Sequence, residues 1–316
     1  MSEIDEILGT SNYTNDYSST KSKGKYTTNK DYKSNASSNK SKSNWKESKN
    51  KWKEQQNQIR QEIYDTMDRM AKIVGNDSQK FQKYLDIQSR FSKYSVGNCL
   101  VILEKAPNTT RIKDESSWNE IGVELIKNPK SIKILEPNKA NGKIYYNPKE
   151  VYDITQTNAP KESMIKEYNR RKLLEATLKD CEVPRVSVDK LPNGTLGSEF
   201  SKDENVLYVC KGMNKELLFQ TLFQEIGNIE MRQEENSDIK SFRSYCISYM
   251  LCQKYGIDVS NFDFTKLPEE ITSKNDAKGI RGELNIIRTN FENIDTRIYH
   301  YFEMNSKEKN KKDPER

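Results

Sequence analysis

Residues 220–230 read Gln-Thr-Leu-Phe-Gln-Glu-Ile-Gly-Asn-Ile-Glu, and they have the outline of a zinc-binding helix without its ligands. In the motif His-Glu-x-x-His, two imidazoles lie one turn apart on one helix face, and the glutamate is the general base. Here the two ligand positions are Gln224 and Asn228, and only the glutamate, Glu225, is present. The single histidine of the chain, His300, lies far away near the C-terminus. The stretch therefore predicts the architecture of a zinc peptidase and argues against its chemistry.

The composition separates an N-terminal arm from the rest of the 316-residue chain. Residues 11–53 consist mostly of Ser, Asn, Thr, Tyr and Lys, and such a segment cannot bury enough apolar surface to offset its ordering entropy. We expect a disordered arm over residues 1–55, with order beginning near Trp52. The net charge is +6, and acidic residues are scarce in the arm. A basic arm attracts polyanions through counterion release, although a solubilising tail is at least as good an interpretation.

Cysteine usage and hydropathy indicate the compartment. The five cysteines form no Cys-x-x-Cys pair, which is typical of reduced, mostly buried thiols in a cytoplasmic protein. No signal peptide is recognisable, and the longest apolar runs, such as residues 99–103, are too short to cross a membrane. We expect a cytoplasmic protein with no membrane partner.

Periodicity predicts helices and strands in two blocks, separated by a boundary at residues 157–160. In the first block, Ser78 is a candidate N-cap, and Ser117 and Glu120 have the spacing of a capping box. Its predicted helices span 52–74, 78–88 and 91–103, and its strands span 131–137 and 143–147. The second block is predicted to contain helices at 161–179, around Glu225, at 241–255 and at 280–298, with strands at 186–188 and 205–210. Residues 305–316 are predicted to be a charged tail.

Several spaced motifs carry a family resemblance. They are Phe91-Ser-x-Tyr-Ser-x-x-Asn98, Ala106-Pro-Asn108, Trp118-x-x-x-Gly122, Ile132-x-Ile-Leu-x-Pro137 and Val151-Tyr-Asp-Ile-Thr-Gln-Thr157. Their order resembles the N-terminal domain of the ArdC antirestriction family and of the related LtrC-like proteins of conjugative elements. The strand at 205–210, followed by Leu222-x-x-Glu225, resembles the zincin-like C-terminal domain of the same family.

The resemblance implies an α+β protein of two domains. Residues 56–158 would form a single-stranded-DNA-binding domain of helices and a small antiparallel sheet, and residues 159–304 a zincin-like helical domain with a second small sheet. The implied function is single-stranded DNA binding by a protein of a mobile or conjugative element. The family's third, acidic metal ligand would lie near Ser244 and Tyr245, where this chain has no carboxylate. We therefore expect no metal, no cofactor and no enzyme activity, with Gln224, Glu225 and Asn228 left as a polar remnant.

Single strands are bound by basic grooves that follow the phosphates and by aromatic rings that stack on the bases. The candidates for such contacts all lie in the first block: Lys93, Tyr94, Asn98, Arg111, Trp118, Lys127, Lys130, Lys133 and Lys143. Lys133 lies between two isoleucines of a strand and should point away from the apolar face. A core position is the better expectation for Trp118, and for Tyr94 and Asn98 it is as good as DNA contact.

Two further interpretations stay open at this stage. The first is an antirestriction protein that inhibits a host nuclease by direct contact, so that a restriction enzyme or a transfer-complex protein would be the partner. The second, an active metalloprotease, is disfavoured by the absence of the metal ligands. Asp153 and Gln156 are polar residues in a strand-like segment, and we predict that they fix the turn between the two domains rather than carry chemistry.

Overall fold

The first half of the chain packs helices against a three-stranded antiparallel sheet. The computed structural model describes residues 39–160, 168–274 and 276–312. The elements of this half are α1 (Asn39–Asn76), α2 (Ser78–Arg90), α3 (Val96–Lys105), β1 (Ile112–Lys113), α4 (Glu115–Asn119), β2 (Ile132–Ala140) and β3 (Lys143–Asp153). The strand order is β1-β3-β2, and β2 and β3 form a long hairpin in which Ile132 pairs with Val151 and Ala140 with Lys143.

The second half surrounds a smaller mixed sheet with helices. Its elements are α5 (Arg170–Lys179), β4 (Arg185–Val188), β5 (Ser198–Ser201), β6 (Val206–Cys210), α6 (Lys215–Glu230), α7 (Ser237–Tyr255), α8 (Glu269–Thr272) and α9 (Ala277–Lys312). The strand order is β4-β6-β5, with β4 parallel and β5 antiparallel to β6. The α+β class predicted from the sequence is confirmed. In the described part of the chain, no helix is both long and apolar enough to span a membrane.

Helix α1 begins at Asn39, well before Trp52, where we expected order to start. Its side chains from 47 to 55 are exposed, and Glu47 and Lys51 form an i,i+4 ion pair of 2.9 Å. Lys, Glu and Gln are good helix formers, so this part of the helix depends on local propensity and side-chain pairs. Composition alone predicted too much disorder here, and residues 1–38 of the predicted arm lie outside the described residues.

Two predicted helix caps are wrong by a few residues. Asp77, not Ser78, caps α2 by accepting hydrogen bonds from two backbone N–H groups. Asp114, not Ser117, caps α4 and accepts from the backbone N–H of Ser117 at 2.9 Å. Aspartate is as good an N-cap as serine, so a sequence in which both occur close together leaves the choice to the tertiary structure.

The segment predicted as one helix over 91–103 is a turn followed by α3. Ser95 caps α3 by accepting from the backbone N–H of Asn98 at 3.2 Å. The preceding turn is held from within, because the Gln88 side chain donates to the carbonyl oxygens of Phe91 (3.0 Å) and Tyr94 (3.2 Å). A buried amide that satisfies two carbonyls competes with helical hydrogen bonding at that point.

Helix α9 connects the two halves of the structure. It packs against α1 and α3 of the first half and against α5, α6 and α7 of the second. The apolar stripe predicted from the sequence faces this core, with buried residues at 280, 284, 287, 291, 294 and 298. At Gly75 of α1 the two helices approach so closely that an added Cβ would lie 2.6 Å from Cδ1 of Ile280. One continuous apolar core extends through both halves, so the core does not mark a boundary between them. The predicted boundary near residue 158 stays a prediction.

Candidate nucleic-acid interface

The metal-ligand positions of α6 belong to a hydrogen-bonded polar cluster. Oε2 of Glu225 accepts from the backbone N–H of Phe200 on β5 at 3.0 Å and from Nδ2 of Asn228 at 3.1 Å. Oδ1 of Asn228 accepts from the hydroxyl of Ser244 on α7 at 2.6 Å. Burial raises the pKa of the Glu225 carboxyl, and the two hydrogen bonds oppose that shift only in part. Strand β5, which supplies one of the donors, was missed in the sequence because Phe200 is its single apolar residue, so no alternation is visible.

This cluster does not fit a zinc ion. Structural and catalytic zinc sites are built from imidazole, thiolate and carboxylate ligands. Gln224 and Asn228 offer neutral amides, and both amide atoms of Asn228 are already hydrogen-bonded within the protein. Among residues 47–305, apart from the gaps, no group of three or more His, Cys, Asp or Glu side chains is arranged to hold a metal ion.

A different feature, in the first half of the structure, has the properties of a binding site. A cleft of about 670 Å³ lies between α1, the start of α3, the β2–β3 hairpin and α9. Three tyrosines, five basic residues and two carboxylates are among the residues that line it. They are Tyr64, Tyr94 and Tyr146; Lys93, Lys113, Lys149, Arg281 and Arg288; and Asp114 and Glu136. We call this site the basic cleft.

One wall of the basic cleft is the turn that carries Tyr94. The Tyr94 ring packs edge-on against Phe91, with a centroid distance of 5.6 Å. Besides the bond from Gln88, the carbonyl of Tyr94 accepts a hydrogen bond of 2.8 Å from Nε of Arg288 on α9. The ring is half-buried, and burial raises the pKa of its hydroxyl. Two side chains thus hold the backbone at this residue, and the contact with Phe91 places the ring at the edge of the cleft.

Asn98 lies in the same wall but is engaged within the protein. Its Nδ2 donates to the carbonyl of Leu135 at 2.9 Å, and its Oδ1 accepts from the backbone N–H of the same residue at 3.0 Å. The amide therefore pairs with the outer edge of β2 in the way that a neighbouring strand would. Asn98 is buried, so we drop it from the proposed DNA contacts and assign it a structural role.

Several cations of the basic cleft are partly balanced by carboxylates. Lys149 lies 2.9 Å from Oδ2 of Asp114 and 2.6 Å from Oε1 of Glu136. Burial alone would raise the pKa of Asp114, but hydrogen bonds from Ser116, Lys149 and Ser117 outweigh it and hold that pKa well below its usual range. The Lys149 group, one cation with two carboxylates, therefore carries a net charge of about −1. The positive charge of the cleft comes from the other four basic residues, of which Lys93 and Arg288 pair with Glu292 and Arg281 pairs with Asp68.

The remaining sequence candidates lie outside the lining of the basic cleft. Trp118 is fully buried, and its Nε1 donates to the carbonyl of Tyr152 at 3.0 Å, so its ring is not exposed to a base. The guanidinium of Arg111 lies 5.9 Å from the centre of that ring. Lys127 and Lys130 are exposed in the loop before β2, and Lys133 and Lys143 are exposed on the hairpin. Lys133 points away from the buried face, as predicted.

Asp153, the last residue of β3, and Gln156, three residues later, stabilise neighbouring loops. Oδ2 of Asp153 accepts from the backbone N–H groups of Thr110 and Arg111, at 2.9 and 3.2 Å. The Gln156 amide binds both backbone groups of Lys130.

The sequence candidates thus converge only in part. Lys93, Tyr94 and Asn98 come together at the basic cleft, whereas Arg281 and Arg288 of α9 were missed. Their seven-residue spacing places both on one helix face, a signal that was present in the sequence. What the sequence did not show was which surface that face meets.

Comparisons with known proteins give the following result. No protein-family model and no curated protein matches the chain. The solved structures that are similar to it include two crystal structures. Both are of the antirestriction protein ArdC from plasmid R388. The Mn(II)-bound structure has 14% identity and a TM-score of 0.43 over 65% of this chain and 85% of that one, and the metal-free structure has 12% and 0.39 over 66% and 86%. ArdC is also the family that the sequence motifs resemble, but a likeness this distant does not assign roles to residues.

Proposed function

We propose that the basic cleft binds single-stranded DNA with little sequence preference. The observation that carries the proposal is the presence of exposed tyrosine rings and basic side chains in one cleft, which is the combination that single-strand binders use. Tyr146 is 46% exposed, so part of the residue is accessible to a base. Lysine and arginine side chains of the cleft would bind the phosphates on either side of that base.

The size of the basic cleft favours a single strand over a duplex. A volume of about 670 Å³ lies within the ~300–1,000 Å³ range of small-ligand pockets. Such a space suits one or two nucleotides of a single strand, while the rest of the strand would run over the surface. Exposed lysines outside the cleft, at 127, 130, 133 and 143, together with Arg111, would attract the strand as it approaches.

A smaller groove offers a continuation of this path. It is about 350 Å³ and lies between α1 and the hairpin, with Trp52, Lys53 and Arg60 in its lining. Nε of Arg60 donates to the carbonyl of Tyr146 at 2.8 Å, so the two grooves meet at this contact. Trp52 is 60% exposed and presents a second ring for stacking.

In this proposal the second half of the chain is a scaffold with no peptidase chemistry. In the zinc-peptidase mechanism the glutamate acts as general base on a water bound to the metal, and the amides of Gln224 and Asn228 do not supply a site for that metal. The function then depends on DNA binding in the service of a mobile or conjugative element, in a cytoplasmic setting.

The proposal is tested by replacing the exposed ring. Base stacking on an aromatic side chain is worth about 1–3 kcal/mol, so Tyr146→Ala should weaken binding of a labelled single strand by about 5- to 150-fold. Tyr299→Ala is the matched control, because Tyr299 is 51% exposed but lies outside the cleft lining. Equal affinities of the two variants, measured by fluorescence anisotropy, would count against the cleft as the binding site.

A second candidate function is inhibition of a host restriction nuclease by direct contact. It is favoured by apolar exposure at the end of the hairpin, where Ile144 is 55% and Tyr145 48% exposed. Exposed apolar groups side by side are a feature of protein-contact surfaces. Titration against a purified restriction enzyme separates the two functions. If the amount of protein needed for full inhibition rises with the enzyme concentration, the protein contacts the nuclease. If that amount rises with the DNA concentration instead, the protein binds the substrate.

A further inference from the structure

Helix α9, near the C-terminal end of the chain, contributes two arginines to a cleft otherwise built from the first half. Arg281 and Arg288 are separated by seven residues, so they lie on the same face of the helix, two turns apart. We propose that the single strand is held by both halves of the protein together. In this arrangement Arg281 contacts a phosphate, and Arg288 is a positioning residue that orients Tyr94. The inference rests on the function proposed above and gives the second half a part in it.

Arg288 is placed to hold the turn rather than to meet the ligand. Its side chain is only 17% exposed. Nε donates to the carbonyl of Tyr94 at 2.8 Å, and Nη2 lies 2.5 Å from Oε2 of Glu292, one turn further along α9. Because Glu292 fixes the guanidinium, the hydrogen bond to Tyr94 has a defined direction. The position of a ring in the first half therefore depends on a salt bridge within the last helix.

Arg281 is more accessible and has donors to spare. Its side chain is 29% exposed, and Nη1 lies 2.5 Å from Oδ1 of Asp68 on α1. A guanidinium has five N–H donors in a planar fork, so one carboxylate does not exhaust it. Asp68 is itself 52% exposed, and exposed ion pairs are weak. A phosphate can thus share or replace Asp68 as the partner of Arg281.

The second half keeps α9 in place through a buried polar network. Asp295 is 2% exposed, and its carboxylate accepts from the hydroxyl of Tyr255 at 2.8 Å and from Nζ of Lys254 at 2.6 Å. Nζ of Lys254 also donates to the hydroxyl of Ser92 at 3.0 Å, two residues from Tyr94. Helix α7 of the second half is therefore bonded both to α9 and to the turn that forms the cleft wall.

The phosphate contact is tested with the full chain and a labelled oligothymidylate. Each phosphate contact to a single strand adds about 0.7 to the slope of log K against log salt concentration. Arg281→Gln should reduce that slope by about 0.7 and weaken binding about tenfold at low salt. Lys278→Gln is the matched control, because Lys278 is exposed on the same helix but outside the cleft lining, and it should leave the slope unchanged.

The positioning role of Arg288 is tested by rescue. Arg288→Lys keeps a cationic donor for the Tyr94 carbonyl, whereas Arg288→Gln does not keep the charge. We expect the lysine variant to recover most of the affinity that the glutamine variant loses, with both variants folded by circular dichroism. Equal losses in the two variants would overturn the positioning role.

The outcomes distinguish this inference from the function on which it rests. If the native chain binds the oligonucleotide and Arg281→Gln leaves affinity and slope unchanged, then α9 takes no part and the first half binds DNA by itself. If the native chain does not bind, the proposed function fails and this inference fails with it.

Discussion

Replacing Asn98 by alanine gives a direct test of the hydrogen bonds that hold the cleft wall together. The native amide supplies both a donor and an acceptor to the backbone of Leu135, at 2.9 and 3.0 Å, in a buried position. Alanine removes both partners and leaves the N–H and the C=O of an edge strand without hydrogen bonds. Leu135 and Asn98 are 5% and 6% exposed, so water from the cleft that both residues line can replace the lost partners only in part.

The expected cost follows from those two lost contacts. A buried backbone group that loses its partner costs about 1–3 kcal/mol. Two such groups give about 2–6 kcal/mol, and the better helix propensity of alanine on α3 returns less than about 1 kcal/mol. Partial relaxation of the edge of β2 lowers the total, so we expect Asn98→Ala to reduce the free energy of unfolding by about 2–4 kcal/mol.

The assay is urea unfolding followed by circular dichroism, with Asn119→Ala as the control. Asn119 is exposed at the end of α4, and its replacement should change the free energy of unfolding by less than about 0.5 kcal/mol. At a temperature where the Asn98 variant is folded, its affinity for single-stranded DNA should be within about twofold of the native value. A variant of native stability that has lost DNA binding would refute the reasoning and make Asn98 a contact residue.

Two further predictions concern buried carboxylates of the second half. Because burial raises the pKa of Glu225 above its ordinary value of 4.5, the folded state favours the protonated carboxyl, and native stability declines as the pH rises above about 4.5. Glu225→Gln removes this titration, so between pH 4 and pH 7 the variant should gain stability relative to the native chain, as measured by urea midpoints. If the difference in urea midpoint between variant and native chain is the same at pH 4 and pH 7, the prediction is contradicted. Asp295→Ala should cost about 3 kcal/mol, because it leaves the Lys254 ammonium and the Tyr255 hydroxyl without their buried partner. A thermal-melting midpoint equal to that of the native chain would show that the network contributes nothing.

The parts of the fold that were predictable are those with a period. The stripe on α9 and the hairpin with exposed Lys133 each repeat a pattern over several turns or residue pairs, and burial follows such patterns closely. The helix around Glu225 was predicted instead from its likeness to the zinc-peptidase motif. Caps and short elements were not predictable in the same way. Asp77 and Ser78 are both good caps. Strand β5 has a single apolar residue, Phe200, and so shows no alternation, whereas the equally short β4 has two valines that alternate with polar residues.

The candidate site was predictable only where its residues are close in sequence. Lys93, Tyr94 and Asn98 belong to one motif, and they do come together. Arg281 lies far along the chain from all three, and its place in the cleft is decided by the packing of α9 on α1, which periodicity cannot show. The sequence also could not distinguish the inward amide of Asn98 from an exposed one, because that depends on the edge of β2 lying opposite it.

The central claim is that this chain binds single strands through a basic, tyrosine-lined cleft, and a salt titration with two labelled DNAs tests it most directly. We expect tighter binding of an oligothymidylate than of a duplex of equal length, and a log–log decline of affinity with salt concentration whose slope reports several phosphate contacts. Equal, weak binding of both DNAs, or a single-strand affinity that does not change with salt, would contradict the account.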